Sequence, residues 1–330
     1  MNDSTAYRRE AVNQSRIGVV LLNMGGPEKQ EDVRPFLYNI FSDRQIIRLG
    51  PWLLQKPLAW LIARKRAPKS AATYAQIGGG SPITAITRQQ QHALQLSLAD
   101  DGDFLVTTAM RYWHPFTAAA VSELLEARVE RIVALSLYPH FSRATTGSSL
   151  NELKIRLARA SCTAPLLEIA SWPDQPDYIA CLSERIKVGL SRFRDETVQI
   201  VYSAHSLPVS FIKEGDPYVD HLHRTIAAVQ VQTGRTGRLC YQSRSGPVEW
   251  LSPSTPEMIK TLAAEGCRAI LMVPLSFVSD HVETLYEINI AYRALAGEYG
   301  IRLESTEGLN TAPRFIAALR NLVLARLTKP

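Results

Sequence analysis

Eight short apolar runs punctuate the chain, at 17–22, 104–110, 131–137, 166–170, 198–202, 238–242, 268–275 and 302–305. Each is long enough for a buried strand and too short for a helix. Between them apolar positions recur at helical spacing, as in 117–127, 148–160, 177–192 and 255–265. A last helical pattern over 311–327 carries Phe315, Leu319, Leu322 and Val323 on one side. Such alternation predicts parallel sheets joined by right-handed crossovers, an α/β protein. The last three runs of each half are offset almost equally (104 to 238, 131 to 268, 166 to 302), which predicts two similar four-stranded halves. The first run breaks the pattern, because the gap from 22 to 104 is far longer than its counterpart. Long insertions at a strand's carboxyl end are usually functional lids.

Composition fills in the class. At 330 residues the chain exceeds the usual size of one core, so two domains are expected. Its 46% hydrophobic and 21% charged content is that of a soluble globular protein. Met1 to Arg16 is polar, without the apolar stretch of a secretory signal, and no run approaches a spanning helix; the expected location is cytoplasmic. The net charge of +6 is concentrated in one place. Between Arg44 and Lys69 lie seven basic residues and no acid, and removing them leaves −1. That segment also holds Pro51-Trp52-Leu53-Leu54 and Leu58-Ala59-Trp60-Leu61-Ile62, a mixture suited to an anionic membrane surface or amphipathic ligand rather than nucleic acid. The four cysteines, Cys162, Cys181, Cys240 and Cys267, are dispersed and form no Cys-x-x-Cys pair. They read as small buried hydrophobes, not as disulfides, zinc ligands or cluster ligands.

The candidate chemistry sits at strand ends. After 198–202 comes Ser203-Ala204-His205-Ser206-Leu207-Pro208, and after 268–275 comes Ser279-Asp280-His281-Val282-Glu283-Thr284-Leu285-Tyr286-Glu287. Both therefore reach the carboxyl edge of a parallel sheet, where ligands bind. A neutral imidazole facing carboxylates can hand on a divalent metal and accept protons, which suggests metal insertion into an acidic N–H ligand. Asp280, Glu283, Thr284 and Glu287 share one helical face; a merely solvated acidic face is the plain alternative. His205 could likewise be a satisfied core histidine. No Gly-x-Ser-x-Gly elbow accompanies Ser203 or Ser206, so a serine hydrolase is unsupported.

Three further motifs have plain readings beside functional ones. Gly25-Gly26 ends the first run and permits close backbone approach, yet lacks both the dinucleotide and the P-loop spacing. Gly78-Gly79-Gly80-Ser81-Pro82 predicts a helix with Ser81 as N-cap and Pro82 in its first turn, a place that also suits carboxylates. Arg111 sits beside Tyr112 and Trp113 at a strand end, suited to a flat ring bearing carboxylates.

Taken together and in order, these residues resemble the ferrochelatase family, from about Gly18 to Leu309. The resemblance is carried by Leu22-Asn23-Met24-Gly25-Gly26-Pro27, Gly78 to Pro82, Arg111-Tyr112, Tyr138-Pro139 and Thr145-Thr146-Gly147-Ser148-Ser149. It continues in Ser203 to Pro208, Gln242-Ser243, Gly246-Pro247, Trp250-Leu251 and Ser279 to Leu285. It implies two Rossmann-like domains with a porphyrin cleft between them, expected at 14–160 and 161–310, and a helix at 311–330 packing across both. It implies His205 and Glu283 as the metal pair, with Asp280, His281 and Glu287 as a secondary acidic and proton path. Met24, Arg66, Tyr74, Ser81, Arg111, Trp250 and Phe277 match porphyrin-binding positions. Residues 44–82 correspond to the lip of the pocket, and within it 51–66 is expected to touch the inner membrane. The implied substrates are Fe²⁺ and protoporphyrin IX, with Met24 matching the protoporphyrin branch rather than the coproporphyrin one. No resident cofactor is expected: Arg143 stands where cluster-bearing relatives have an interior cysteine, and no cysteine-rich extension precedes Pro330. A cobalt or nickel chelatase and a non-catalytic porphyrin carrier are the rival readings.

Overall fold

The computed structural model describes residues 15–194 and 196–328. All eight apolar runs are strands: Ile17–Asn23 (β1), Phe104–Met110 (β2), Arg131–Ser136 (β3), Leu166–Ile169 (β4), Val198–His205 (β5), Gly237–Gln242 (β6), Ala269–Pro274 (β7) and Arg302–Ser305 (β8). They form two four-stranded sheets, ordered β2-β1-β3-β4 and β6-β5-β7-β8, in which every pairing is parallel. The two halves thus repeat one Rossmann-like topology, as the matched offsets predict. The helices are Val33–Ser42 (α1), Gln55–Ala75 (α2), Ile83–Ser97 (α3), Thr117–Glu126 (α4), Ser148–Arg159 (α5), Pro176–Ser191 (α6), Val209–Lys213 (α7), Tyr218–Thr233 (α8), Thr255–Ala264 (α9), Arg293–Glu298 (α10) and Pro313–Thr328 (α11). A π-helical segment, Glu283–Tyr292, leads directly into α10.

Alternation along each strand divides the core. On β1, Val20 and Leu22 pack outward with Val121 and Leu124 of α4 and Leu153 of α5, whereas Val19 and Leu21 face inward. On β5, Val201 faces α9 while Ile200 and Tyr202 join the same inner cluster as Val19 and Leu21. One continuous apolar core, filled by Tyr178 and Ile186 of α6 and Phe315 and Leu319 of α11, therefore joins the sheets. Burying a side chain of this size is worth roughly 1.5–3 kcal/mol. That shared core holds the two sheet edges, and so the site, in one register.

Two expectations change. The boundary between 160 and 161 falls one strand too early, because β4 pairs with β3 in the first sheet. The last helix, α11, lies on α3 and the β3–β4 edge of the first half and on α6 of the second. Helix α3 begins at Ile83 with Pro82 as its N-cap; Ser81 sits one residue earlier, its Oγ only 3.4 Å from the Ile83 N–H. Within the lip the basic, Trp-bearing stretch is mostly the 21-residue α2. Periodicity did not reveal it because only Gln55, Ala59, Ala63 and Tyr74 are buried, while Trp60 and Leu61 point outward. Gly26 and Gly80 serve packing: a Cβ on Gly26 would lie 2.7 Å from that of Ser81, and one on Gly80 2.1 Å from the Glu28 carbonyl oxygen.

Candidate active site at the paired sheet edges

His205 is the last residue of β5, in register with Gln242 of β6. Its backbone is fixed on both sides: the N–H donates to Ser276 Oγ (2.7 Å), and the Tyr218 hydroxyl donates to its carbonyl (3.0 Å). Its Nδ1 meets both carboxylate oxygens of Glu283, at 2.9 and 3.0 Å. The imidazole is 34% exposed while the Glu283 side chain is only 12% exposed, so one ring edge faces the cleft and the other a sheltered anion.

These surroundings separate the proton affinities. For His205, burial opposes protonation, but the Glu283 charge and hydrogen bond, with Glu287 behind them, raise its pKa above the ordinary value. For Glu283, burial pushes upward, yet the His205 and His281 imidazoles hold the carboxyl well below the usual range. Glu287 behaves oppositely: burial, then the Glu283 charge, push it up to about 7. Ser243 donates to Glu287 Oε2 (2.6 Å), and Gln242 Nε2 reaches the Glu283 carbonyl oxygen (3.2 Å). The His281 Nδ1–H donates to the Ser279 carbonyl (3.2 Å), which leaves Nε2 at 3.8 Å from Glu283 Oε1 with no hydrogen-bond partner among the described residues. His205, His281, Glu283, Gln242 and Phe277 line a cavity of about 10 Å³, the room of one small ion or water.

Of the expected acidic face, then, Glu283 and Glu287 converge on His205. Asp280 does not. It precedes the helical segment and is tied to Asn310 Nδ2 (2.7 Å) and the Thr284 hydroxyl (3.0 Å). Among the expected ring-binding residues, Phe277 stands between His281 and His205, with ring centroids at 4.1 and 6.4 Å. Tyr74, near the C-terminal end of α2, is buried, and its hydroxyl is pushed up by that burial and by the Glu283 charge. Trp250 bridges to Pro208 just beyond His205. Met24 is half-buried against Phe36, Tyr112 and Trp113 at the end of β1, and Ser81 is buried with its N–H on the Pro27 carbonyl (2.7 Å). Arg66 is exposed, with its guanidinium carbon 5.3 Å over the Phe41 ring. Arg111 is not a free guanidinium: it is held by Asp43 (2.8 Å) and Ser148 Oγ (2.7 Å). Sequence reasoning gave no role to Ser276, Tyr218, Gln242 or Ser243. The available signal was that Gln242-Ser243 ends a strand beside the one carrying His205 and belongs to the motifs of the resemblance.

A family model for Ferrochelatase matches residues 16–327. The chain is 61% identical over 307 residues to the Ferrochelatase of Desulfotalea psychrophila, covering 93% of this chain and 96% of that protein. It is 50% identical over 311 residues to the Ferrochelatase of Geotalea uraniireducens, covering 93% and 97%. Among solved structures it is similar in fold to SirB from Bacillus subtilis with Fe³⁺, with a TM-score of 0.56 at 10% identity over 95% of this chain and 96% of that one. CbiX, the terminal enzyme for biosynthesis of siroheme in denitrifying bacteria, gives a TM-score of 0.51 at 13% identity, covering 93% and 98%.

Proposed function

The chain belongs to the ferrochelatase family, and on that premise we propose that it inserts Fe²⁺ into protoporphyrin IX at His205 and Glu283, releasing two protons. The observation that carries this reading is the buried Glu283 carboxylate lying 2.9 and 3.0 Å from Nδ1 of a cleft-facing imidazole. With Glu283 accepting from Nδ1–H, Nε2 keeps its lone pair for a pyrrole proton, and the anion stabilises the imidazolium that forms. Glu287, whose proton affinity lies near neutrality, takes the proton onward from the Glu283 side. One imidazole and one carboxylate hold Fe²⁺ loosely enough to release it to four ring nitrogens. Enclosure between the sheet edges, with Phe277 and Tyr74 against the ring, supplies the remote binding that bends a planar macrocycle. Replacing Fe²⁺ by Co²⁺ or Ni²⁺ in the same anaerobic assay separates this reading from its metal rivals.

The proton path has a pH signature. Both His205 and Glu287 must be deprotonated to accept, so kcat is expected to fall as pH drops through about 7, with a limb steeper than one proton. In Glu287→Gln only the His205 ionisation remains. Its limb is expected to relax to one proton, with a plateau lower by roughly tenfold. Identical profiles for the two proteins would remove Glu287 from the path.

Membrane contact is part of the proposal. No helix among the described residues is long and apolar enough to cross a membrane. In the lip, however, Trp52 is 73%, Leu53 66% and Leu61 54% exposed. Arg34 and Arg64 place their guanidinium carbons 5.2 and 5.5 Å from the Trp60 ring. Each cation near an anionic leaflet adds up to about 1 kcal/mol. The lip rests on the cytoplasmic face of the inner membrane and takes the poorly soluble porphyrin from it. Changing Trp52, Leu53 and Trp60 to serine is expected to weaken sedimentation with anionic vesicles and to make turnover less dependent on added lipid. Unchanged vesicle binding with loss of porphyrin binding would identify a lid instead.

The same reading includes no iron–sulfur cluster. The four cysteines lie apart in sequence and are free thiols, and Arg143 packs over the Phe211 ring, its guanidinium carbon at 3.7 Å. Purified anaerobically, the protein is expected to contain no acid-labile sulfide; a stoichiometric amount would refute this.

A further inference from the structure

We infer that Gln90 and Asn310 are positioning residues: a buried polar relay from α3 that sets the turn delivering His281 and Glu283. The inference rests on the site proposed above. The buried stripe of α3 runs through Ile83, Thr87, Gln90 and Leu94, so a fully buried amide occupies a core position. Burying an amide is costly unless it is used. Gln90 Nε2 crosses to the second half of the molecule and donates twice, to Ser279 Oγ (2.9 Å) and to the Asn310 carbonyl (2.8 Å). Its Oε1 has no hydrogen-bond partner among the described residues. An apolar side chain would fill this position at lower cost, so the amide is kept for the two donations.

Asn310 carries the connection forward. It adopts a left-handed backbone (φ 44°), and its N–H donates to the Val278 carbonyl (2.9 Å). Its side chain grips Asp280 at both ends: Oδ1 accepts the Asp280 N–H (2.9 Å) and Nδ2 donates to the Asp280 carboxylate (2.7 Å). Asp280 in turn accepts from the Thr284 hydroxyl (3.0 Å), whose oxygen accepts the His281 N–H (3.1 Å). Ser279, the other acceptor of Gln90, presents the carbonyl that fixes His281 Nδ1. Every residue from Ser279 to His281 is thus fastened, directly or through Asn310, to one amide on α3. The other end of that helix reaches the ring side: one turn earlier, Thr87 Oγ1 accepts from Asn23 Nδ2 (3.0 Å), and Asn23 Oδ1 accepts the Met24 N–H (2.8 Å). A single rigid helix therefore sets the spacing between the ring-holding and metal-delivering loops. This also explains the role of Asp280, which lies off the proton path but within the relay.

Gln90→Met keeps the length and removes the donor, while Asn310→Gly keeps the left-handed backbone and removes the side chain. Each is expected to lower kcat by roughly ten- to a hundredfold, the range for a lost buried hydrogen bond acting on a reacting group, with porphyrin affinity by fluorescence quenching within about twofold. The double variant is expected to be no slower than the slower single, since both cut one relay. Gln95→Met is the stability control: it breaks half-buried links from α3 to β2 (Gln95 Nε2 to the Phe104 carbonyl, 2.8 Å, and the Val106 N–H to Gln95 Oε1, 2.7 Å) that do not touch the metal loop. It is expected to lower Tm and leave kcat unchanged. Wild-type kcat in Gln90→Met and Asn310→Gly, or losses equal to that of Gln95→Met at matched Tm, would overturn the relay. A wild-type protein that makes no haem would instead overturn the proposed function.

Discussion

His205→Ala is expected to lower kcat for haem formation at least about a thousandfold while the porphyrin still binds. The imidazole is the one group of the site that is both open to the cleft and backed by a buried anion. Removing it takes away the proton acceptor and a metal donor together. Little of the fold depends on it, since the β5 backbone is held by Ser276 and Tyr218 through main-chain atoms. The expected result is near-normal fluorescence quenching on porphyrin addition and near-normal Tm, with haem formation at background. Turnover close to wild type would remove His205 from the mechanism.

Glu283→Gln is expected to cost roughly a hundredfold in kcat, more than Glu287→Gln. The amide keeps the shape of the carboxylate but not its charge. His205 would lose the anion that outweighs its burial, its pKa would fall, and it would become a weaker base. The metal would also lose an anionic donor at the inner end of the cavity. Glu287 lies one helical turn further on, against Ser243, and is ionised for only part of the population near neutrality, so its loss affects proton removal alone. Should Glu287→Gln prove the more damaging change, the inner site would be centred on the wrong carboxylate.

Much of this was legible in the sequence because strands buried on both faces write themselves as unbroken apolar runs. Val19 to Leu22 and Ile270 to Val273 are apolar throughout since each face of each sheet is covered. His205 and Glu283 were legible for a related reason: polar residues directly after such a run are carried to the sheet edge. What was hidden depended on pairing across long separations. Tyr218 and Ser276 clamp the His205 backbone from positions that share no spacing with it. Arg111 read as a free cation, but its counterion Asp43 lies far away in sequence, at the end of α1. Helix α2 was hidden because its buried positions include Gln55, Ala59 and Ala63 while Trp60 and Leu61 are exposed, which blurs the pattern by which a surface helix is recognised. Gln90, a polar residue in the buried stripe of α3, carried no signal in the sequence, because both acceptors of its amide come from the other half of the molecule.

The central claim is tested most directly by following the Soret band of the purified protein with Fe²⁺ and protoporphyrin IX under anaerobic conditions, with proton release recorded in a weakly buffered sample. The expected result is saturable conversion of porphyrin to haem with two protons released per ring. Tight porphyrin binding without metallation or proton release, under conditions where Fe²⁺ stays reduced, would contradict it.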